Sequence, residues 1–388
     1  MNNIIQQICE NFISEVLNFF DAGAVRKLDE METVLKEKAN CFLRSMIKTY
    51  LEGLDEAIAE SKIDRKKRGY VIEQKSVKRE IYTVFGNLEF GRRYYKNKFD
   101  GTYSYLLDKA VGIESYDRIS NTVSVALVES SSEMSYAKSS KYVCDGHISR
   151  QTVMNKIRRV NELKTEIPKD KRKVVYLHVE ADEDHVSLQD GTDTIVPLIS
   201  IHEGVERTGK RGRCINIHHI SSYGKSVEDM WQEAAEWVYS VYDVEGIEKI
   251  YLHGDGASWI KTGLSYFPKV QFVLDRYHLN KALKEVAGGD ELVYTKLRNA
   301  VYDADKKSFR EICGELRKNT ENDRVKKKVD SFRNYIITNW DGIAAYQEGT
   351  SRESNTEGHV SHVLSSRLSS RPLGWSKAGL KAMAELRA

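Results

Sequence analysis

The stretch Val174-Val-Tyr-Leu-His-Val-Glu-Ala-Asp182 decides the fold, because an apolar run closing on a carboxylate reads as a buried strand that ends at Asp182. Downstream, His185–Gln189 continuing through Thr194–His202, and then Arg213–Ile220, supply two more strands with short connections. Val227–Val241 has helical spacing, Lys249–His253 is a strand, Ala257–Tyr266 a short helix and Val270–Asp275 a further strand. Three meandering strands followed by α-β-α-β is the order of an RNase H-like core, a mixed sheet with helices on its faces, so the expected class is α/β.

In that sheet the first and fourth strands are neighbours, so Asp182 and Asp255, which follows Glu248-Lys-Ile-Tyr-Leu-His-Gly254, converge. Two close carboxylates repel unless a cation lies between them, and hard divalent ions prefer oxygen donors. Glu357, in Ser351-Arg-Glu-Ser-Asn-Thr-Glu-Gly-His359, would arrive from a later helix and complete the shell of a second ion, with Mg²⁺ or Mn²⁺ as the expected cofactor. Asp184 has the same strand parity as Asp182 and competes with it, as Glu353 competes with Glu357. A single Asp at a strand end is ordinarily a turn or cap residue, and only the combination in this element order points to metal. His178, His253 and His278, with Asp255 and Asp275, offer a nitrogen-rich zinc site as the rival, although a lone His in an apolar strand is more often a hydrogen-bonded core residue.

Upstream of the decisive strand, Pro168 lies in a charged linker, Glu162–Lys173. Before it, Ser135–Val143, the turn Cys144-Asp-Gly-His147 and Ser149–Val160 match a helix-turn-helix, with Ser149 as N-cap, Val153, Ile157 and Val160 inward, and Arg150, Gln151, Asn155, Lys156 and Arg159 outward as candidate DNA contacts. Earlier still, Lys75–Phe85 and Leu88–Lys96 flank a Gly86-Asn87 turn and form a hairpin rich in Lys, Arg and Tyr. There Arg92 and Arg93 are candidate phosphate contacts, and a solvated edge defended by charge is the alternative. Ile4 to about Ile63 reads as two amphipathic helices, while Glu291–Tyr346 is an all-helical insertion. The expected domains are 1–70 helical, 71–114 basic hairpin, 115–165 helix-turn-helix and 174–388 catalytic, with the insertion at about 288–346.

Composition sets the bounds. The chain has 388 residues, and its 60 Lys+Arg against 57 Asp+Glu leave a net charge of +3, so nucleic-acid binding must come from local basic clusters. No apolar run approaches the roughly 18 residues of a membrane span, and no secretory signal opens the chain, so a cytoplasmic protein, nucleoid-associated when bound to DNA, is expected. Five scattered cysteines without a Cys-x-x-Cys pair point to free thiols. The final helical stretch, Leu380–Ala388, lacks a C-cap, which suggests a longer natural product.

The runs Val179-Glu-Ala-Asp-Glu-Asp-His-Val186, Leu252-His-Gly-Asp-Gly-Ala-Ser-Trp-Ile260, Leu274-Asp-Arg-Tyr-His-Leu-Asn-Lys281 and Glu353-Ser-Asn-Thr-Glu-Gly-His359 resemble those of bacterial ISLre-two insertion-sequence transposases, long filed as an uncharacterised family and related to Mutator-like transposases. The resemblance runs from the N-terminal helices to Trp375. It implies Asp182, Asp255 and Glu357 as a DDE triad, with Asp275 and His278 as the Asp-x-x-His pair after the fifth strand. It further implies Mg²⁺-dependent cleavage at element ends, joining of the freed 3′-hydroxyl to target DNA, double-stranded terminal inverted repeats as partner, and a homo-oligomer on DNA. A DNA-binding regulator or inactive remnant without catalysis, and a structure-specific nuclease on the same fold, are the competing functions.

Overall fold

The structure, a computed structural model, describes residues 2–21, 25–160, 167–209, 211–348, 355–371 and 373–388. The chain divides into two units, residues 1–156 and 157–388. No described helix is long and apolar enough to cross a membrane, and all five cysteines are free.

In the first unit, helix α1 (Asn2–Asp21) runs antiparallel to α2 (Leu28–Glu60), with Phe12 stacked on Phe42 at 4.7 Å and Lys38 paired to Glu15 at 3.3 Å. A short α3 (Lys62–Lys67) leads into strands β1 (Tyr70–Thr83) and β2 (Gly86–Asn97). Thr83 lies opposite Gly86, so the turn is Val84-Phe85, two residues earlier than the Gly86-Asn87 that the sequence suggests. Gly86 has φ +100°, and the flexible backbone is needed at the first residue of the returning strand.

Alternation along β2 turns Leu88, Phe90 and Arg92 to one buried face, where the two apolar residues pack with Leu51, Ile81 and Leu107. The amides of Gly91 and Arg93 donate to Glu52 and Asp55 of α2 at 3.0 and 3.1 Å, which covers an edge that would otherwise invite pairing. Strand β3 (Tyr103–Ser104) and helices α4 (Leu106–Val111), α5 (Asn121–Glu133), α6 (Tyr136–Cys144) and α7 (Arg150–Ile157) complete the unit. The Ser120, Ser135 and Ser149 hydroxyls accept the Val123, Lys138 and Thr152 amides, so each of the last three helices starts on a serine cap.

The second unit is built on an RNase H-like mixed sheet in the order β10-β9-β4-β5-β8. Strand β4 (Tyr176–Ser187) pairs antiparallel with β5 (Asp193–His202) and parallel with β9 (Lys249–Gly254). The latter pairs parallel with β10 (Val270–Leu274), and β8 (His218–Ser221) is antiparallel to β5. The first strand thus continues past Asp182 through Ser187, and His185–Ser187 belongs to β4 rather than opening the second strand. A turn closed by Leu188 N–H on the Thr192 carbonyl at 2.8 Å separates the two. The third expected strand divides: β6 (Val205–Thr208) and β7 (Arg211–Cys214) form their own hairpin, and only His218–Ser221 joins the sheet.

One sheet face is apolar. Leu177, Val179 and Ala181 of β4 pack with Ile199, Ile201, Ile250 and Leu252 under helix α8 (Val227–Val241), whose Trp231 is fully buried. Short α9 (Ser258–Thr262) follows β9. After β10 come α10 (Arg276–Ala287), α11 (Glu291–Tyr302), α12 (Lys306–Lys318), α13 (Asp323–Thr338) and α14 (Trp340–Ala344), the helical insertion, with a core of its own around Leu297, Phe309 and Ile336. Helix α15 (Thr356–His359), a π-helical stretch (Val360–Ser365) and α16 (Ser366–Leu368) then bring a second set of polar side chains to the other sheet face, and α17 (Lys377–Arg387) closes the unit.

Candidate metal centre

The even-numbered side chains of β4 all point to the face opposite α8. Between Tyr176 and Val186 they are His178, Glu180, Asp182 and Asp184, each buried to within 7% exposure, and a row of polar groups at such depth needs partners. His178 is satisfied by His253 of β9, with ring nitrogens 3.1 Å apart. Asp184 accepts the Ser365 and Ser369 hydroxyls at 2.9 and 2.8 Å. Glu180 lies 3.1 Å from His202 Nε2 and 2.9 Å from His359 Nδ1, and it accepts the Asn355 amide at 3.0 Å. Asp182 accepts the Glu183 amide at 2.9 Å and meets His278 Nε2 at 3.3 Å.

Asp182, His278 and Glu357 offer ligand atoms that all lie within 4.8 Å of one another, and among the described residues they are the group close enough to share one ion. The three come from β4, α10 and α15. Asp275, almost wholly buried, caps α10 by accepting the Tyr277 and His278 amides at 2.9 and 3.1 Å, and the Thr356 hydroxyl donates to its other oxygen at 3.4 Å. One carboxylate therefore touches both the helix that carries His278 and the residue beside Glu357.

Asp255 stands one step from this group. The parallel register pairs Glu180 with His253, and Asp255 follows directly on the end of β9 at Gly254. The Asp255 carboxylate accepts the Ala257 amide at 2.8 Å, and its carbonyl accepts the Tyr335 hydroxyl at 2.9 Å. Asp184, the sequence rival of Asp182, is committed to its two serines; Glu353, the rival of Glu357, lies outside the described residues. The nitrogen-rich alternative is not assembled, since His178 and His253 bond each other while His278 turns to Asp182.

Electrostatics reinforce the geometry. The Asp182 carboxylate holds His278 above its ordinary value against the pull of burial, with Asp275 and Asp255 adding to the effect. Burial pushes the Glu180 carboxyl up, but His202 and His359 outweigh it and hold it well below the usual carboxylate range. Burial likewise opposes the charge on His359, yet Cys214 and Glu180 raise it to about 9. Burial drives His219 and His253 down to about 4. The signs give a pH profile. Between 6.5 and about 4 the unfolded chain binds protons that His219 and His253 refuse when folded, so stability falls as acidity rises. The contribution of His359 is full below 6.5 and is lost as pH climbs through about 9. Melting temperature is therefore expected to peak near 6.5, and a profile flat from about pH 5 to 9 would contradict these assignments.

Two oxygen-donor side chains and one imidazole suit Mg²⁺ or Mn²⁺, and Mn²⁺ takes the nitrogen donor more readily. An acidic-and-histidine cluster on an RNase H-like sheet has the donor chemistry of a nuclease-like centre.

The expected nucleic-acid contacts fare differently. On α7, Arg150, Gln151 and Asn155 are exposed, as is Arg159 just past its end, while Val153 and Ile157 are buried. Lys156 is tied to Asp117 at 2.8 Å. Helix α7 ends at Ile157, short of Val160. On the hairpin, Arg92 is buried against Asp108 with its guanidinium 3.4 Å from the Tyr105 ring, and Arg93 pairs with Asp55 at 2.7 Å and with Glu56 at 2.5 Å. Both charges have carboxylate partners within the unit, and alternation along β2 turns Arg92 to the buried face. A cleft of about 1020 Å³ in the same unit, lined by Lys36, Arg44, Lys78, Arg79, Tyr82 and Tyr142 among others, gathers basic and aromatic groups.

A family model described as "Uncharacterised protein family (UPF0236)" matches residues 23–388. A UPF0236 protein of Caldanaerobacter subterraneus subsp. tengcongensis, whose name joins eleven locus labels, is 42% identical over 390 residues, covering 99% of this chain and 83% of the relative. Another from that organism is 43% identical over 390 residues, covering 99% and 78%. A Streptococcus gallolyticus protein named "UPF0236 protein in vanSb 3'region" is 26% identical over 378 residues, covering 92% and 82%.

Proposed function

We propose, from the premise that this chain belongs to the uncharacterised protein family UPF0236, that it is a DNA transposase of a bacterial insertion sequence, cutting at element ends and joining the freed 3′-hydroxyl to target DNA. The observation that carries the proposal is the convergence of Asp182, His278 and Glu357 on an RNase H-like sheet, with Asp255 just past the end of β9, the strand paired to β4. The multi-locus name of the Caldanaerobacter relative adds support, since one sequence recurring across a genome is what a mobile element leaves.

Divalent ions held by these residues would supply Lewis acidity and lower the pKa of the attacking water or 3′-hydroxyl. Asp182 and Glu357 would be the oxygen donors and His278 the nitrogen donor, with Asp255 as a further carboxylate close by. Asp275 fixes the start of α10 and with it the reach of His278. Sequence recognition falls to α7, whose exposed Arg150, Gln151 and Asn155 suit base edges in a major groove. The cleft beside Lys36, Arg44 and Lys78 suits phosphate, which gives affinity without sequence information.

The test is incubation with a labelled duplex bearing the element's terminal repeats, target plasmid and Mg²⁺. Nicks at the repeat boundary and joined products are expected. Binding without nicking would favour a regulator or remnant, and cutting of branched DNA without regard to ends would favour a structure-specific nuclease; either result overturns the proposal. Within the same assay, Arg150→Ala with Gln151→Ala should weaken binding to the repeats by about 1–3 kcal/mol for each base edge left unread, and should change random-DNA binding less. Equal weakening on both DNAs would remove base reading from α7.

A further inference from the structure

The residues that flank Glu357 in the chain reach back to one side chain on the sheet. Asn355 and His359 lie two residues before and two residues after Glu357, and both meet Glu180: the Asn355 amide at 3.0 Å and His359 Nδ1 at 2.9 Å. Glu180 lies two residues before Asp182 on the same face of β4, and His202 on the neighbouring strand holds it at 3.1 Å. It is 1% exposed. A carboxylate buried so deeply is costly, and a well-packed apolar side chain would serve the fold as well or better. Its presence at this depth calls for a role that an apolar residue cannot fill.

We propose that Glu180 is a positioning residue of the acidic centre: it fastens the segment carrying Glu357 to the strand carrying Asp182, so that the two ligands meet at one point. This rests on the metal-site reading above. Asp184 repeats the device on the far side of Asp182, accepting Ser365 and Ser369 across 181 and 185 residues of chain. Between the two fastenings lies the π-helical stretch Val360–Ser365. Such a wide turn departs from regular helical geometry, and π-turns recur at functional sites. With the helix irregular there, the rotation of Glu357 over the sheet is set by what grips it at either end. Glu180 itself donates nothing to an ion in this arrangement, because its oxygens are taken by His202, His359 and the Asn355 amide.

The experiment uses the full chain with Mn²⁺ as probe and compares wild type, Glu180→Gln and His359→Ala. Free Mn²⁺ is read by electron paramagnetic resonance, amide exchange of residues 355–369 by mass spectrometry, and nicking across a Mn²⁺ series. Both variants should bind Mn²⁺ about ten- to a hundred-fold more weakly, as variants altered just behind the ligands do. They should exchange faster across 355–369, keep wild-type affinity for DNA, and regain nicking at raised Mn²⁺. Recovery at high ion concentration is what a merely structural defect would not give. If Glu180→Gln fails to fold, His359→Ala carries the same comparison, since it leaves the Glu180–His202 pair in place. Unchanged exchange, or faster exchange with unchanged Mn²⁺ affinity, overturns the proposal. If wild type takes up no Mn²⁺, the metal reading fails instead, and the exchange data alone decide whether Glu180 fastens the segment: faster exchange in the variants upholds the tether, and unchanged exchange rejects it.

Discussion

Asp182→Asn should abolish strand cleavage and divalent-ion uptake while leaving the fold intact, or slightly more heat-stable in metal-free buffer. The substitution preserves shape: the Asn oxygen can still accept the Glu183 amide, and its amide nitrogen can face His278. What it removes is one charge from a group whose ligand atoms lie within 4.8 Å. Two carboxylates at that separation repel by roughly 3 kcal/mol at an effective dielectric near 20, a strain relieved only when a cation is present. Losing a ligand to the ion removes several kcal/mol of transition-state stabilisation, so cleavage should fall by about 10³-fold or more. Glu357→Gln should retain more activity, because α15 is only four residues long and Glu357 is exposed, and Mn²⁺ should rescue it better than Asp182→Asn. Asp184→Asn should do least, since one of its oxygens accepts both Ser365 and Ser369 and the Asn oxygen can do the same. Nicking, ion uptake and a melting curve measure all three. Wild-type cleavage by Asp182→Asn would end the transposase proposal; exchanged phenotypes for positions 182 and 184 would move the ligand but keep the chemistry.

Arg92→Ala is the second large effect, and it falls on stability rather than on DNA. The Arg92 side chain is 6% exposed and that of its partner Asp108 is 9%. Burial, with Arg79 nearby, pulls the Arg92 guanidinium down to about 10, so it is still charged at neutral pH. Removing it strands a buried carboxylate and strips the cation from the Tyr105 ring, at a cost of about 3–5 kcal/mol. All five tryptophans lie in the second unit, at positions 231, 237, 259, 340 and 375. Arg92→Ala should therefore shift the far-ultraviolet circular dichroism transition toward lower urea and leave the tryptophan transition in place, and adding Asp108→Ala should restore much of the stability. A variant that unfolds like wild type but binds DNA with a flatter salt dependence would return Arg92 to the phosphate backbone.

The element order of the second unit was legible because α8, β9 and β10 each follow their own local pattern, and that order set the strands carrying Asp182 and leading to Asp255 side by side. Strand length was not. The acids at 180, 182, 183 and 184 look like the end of a strand, whereas three of them line one face of a strand that continues to Ser187. A polar strand face can be recognised only with the segment that satisfies it, and here that segment lies some 175 residues away, from Asn355 onward. The hairpin shows the converse. Leu88-x-Phe90-x-Arg92 announces an inward Arg92 by parity, but the count of basic residues suggested an outward one. His278 entered the sequence reading through a resemblance and a zinc alternative; its place beside Asp182 depends on Asp275 capping α10, a long-range fit with no local signature.

The distance along the chain between the two halves of the acidic centre also sets a clock. Glu180 meets Asn355 across 175 residues, and Asp184 meets Ser369 across 185. At ~5–20 residues per second, a ribosome takes roughly 9–35 s to synthesise that interval, during which the sheet and the insertion can fold as units. A nascent chain that has emerged only as far as α14 has α7 and Asp182 but no Glu357. On the transposase proposal, binding competence would precede cutting competence during synthesis, and a chain interrupted in the insertion would hold DNA without breaking it.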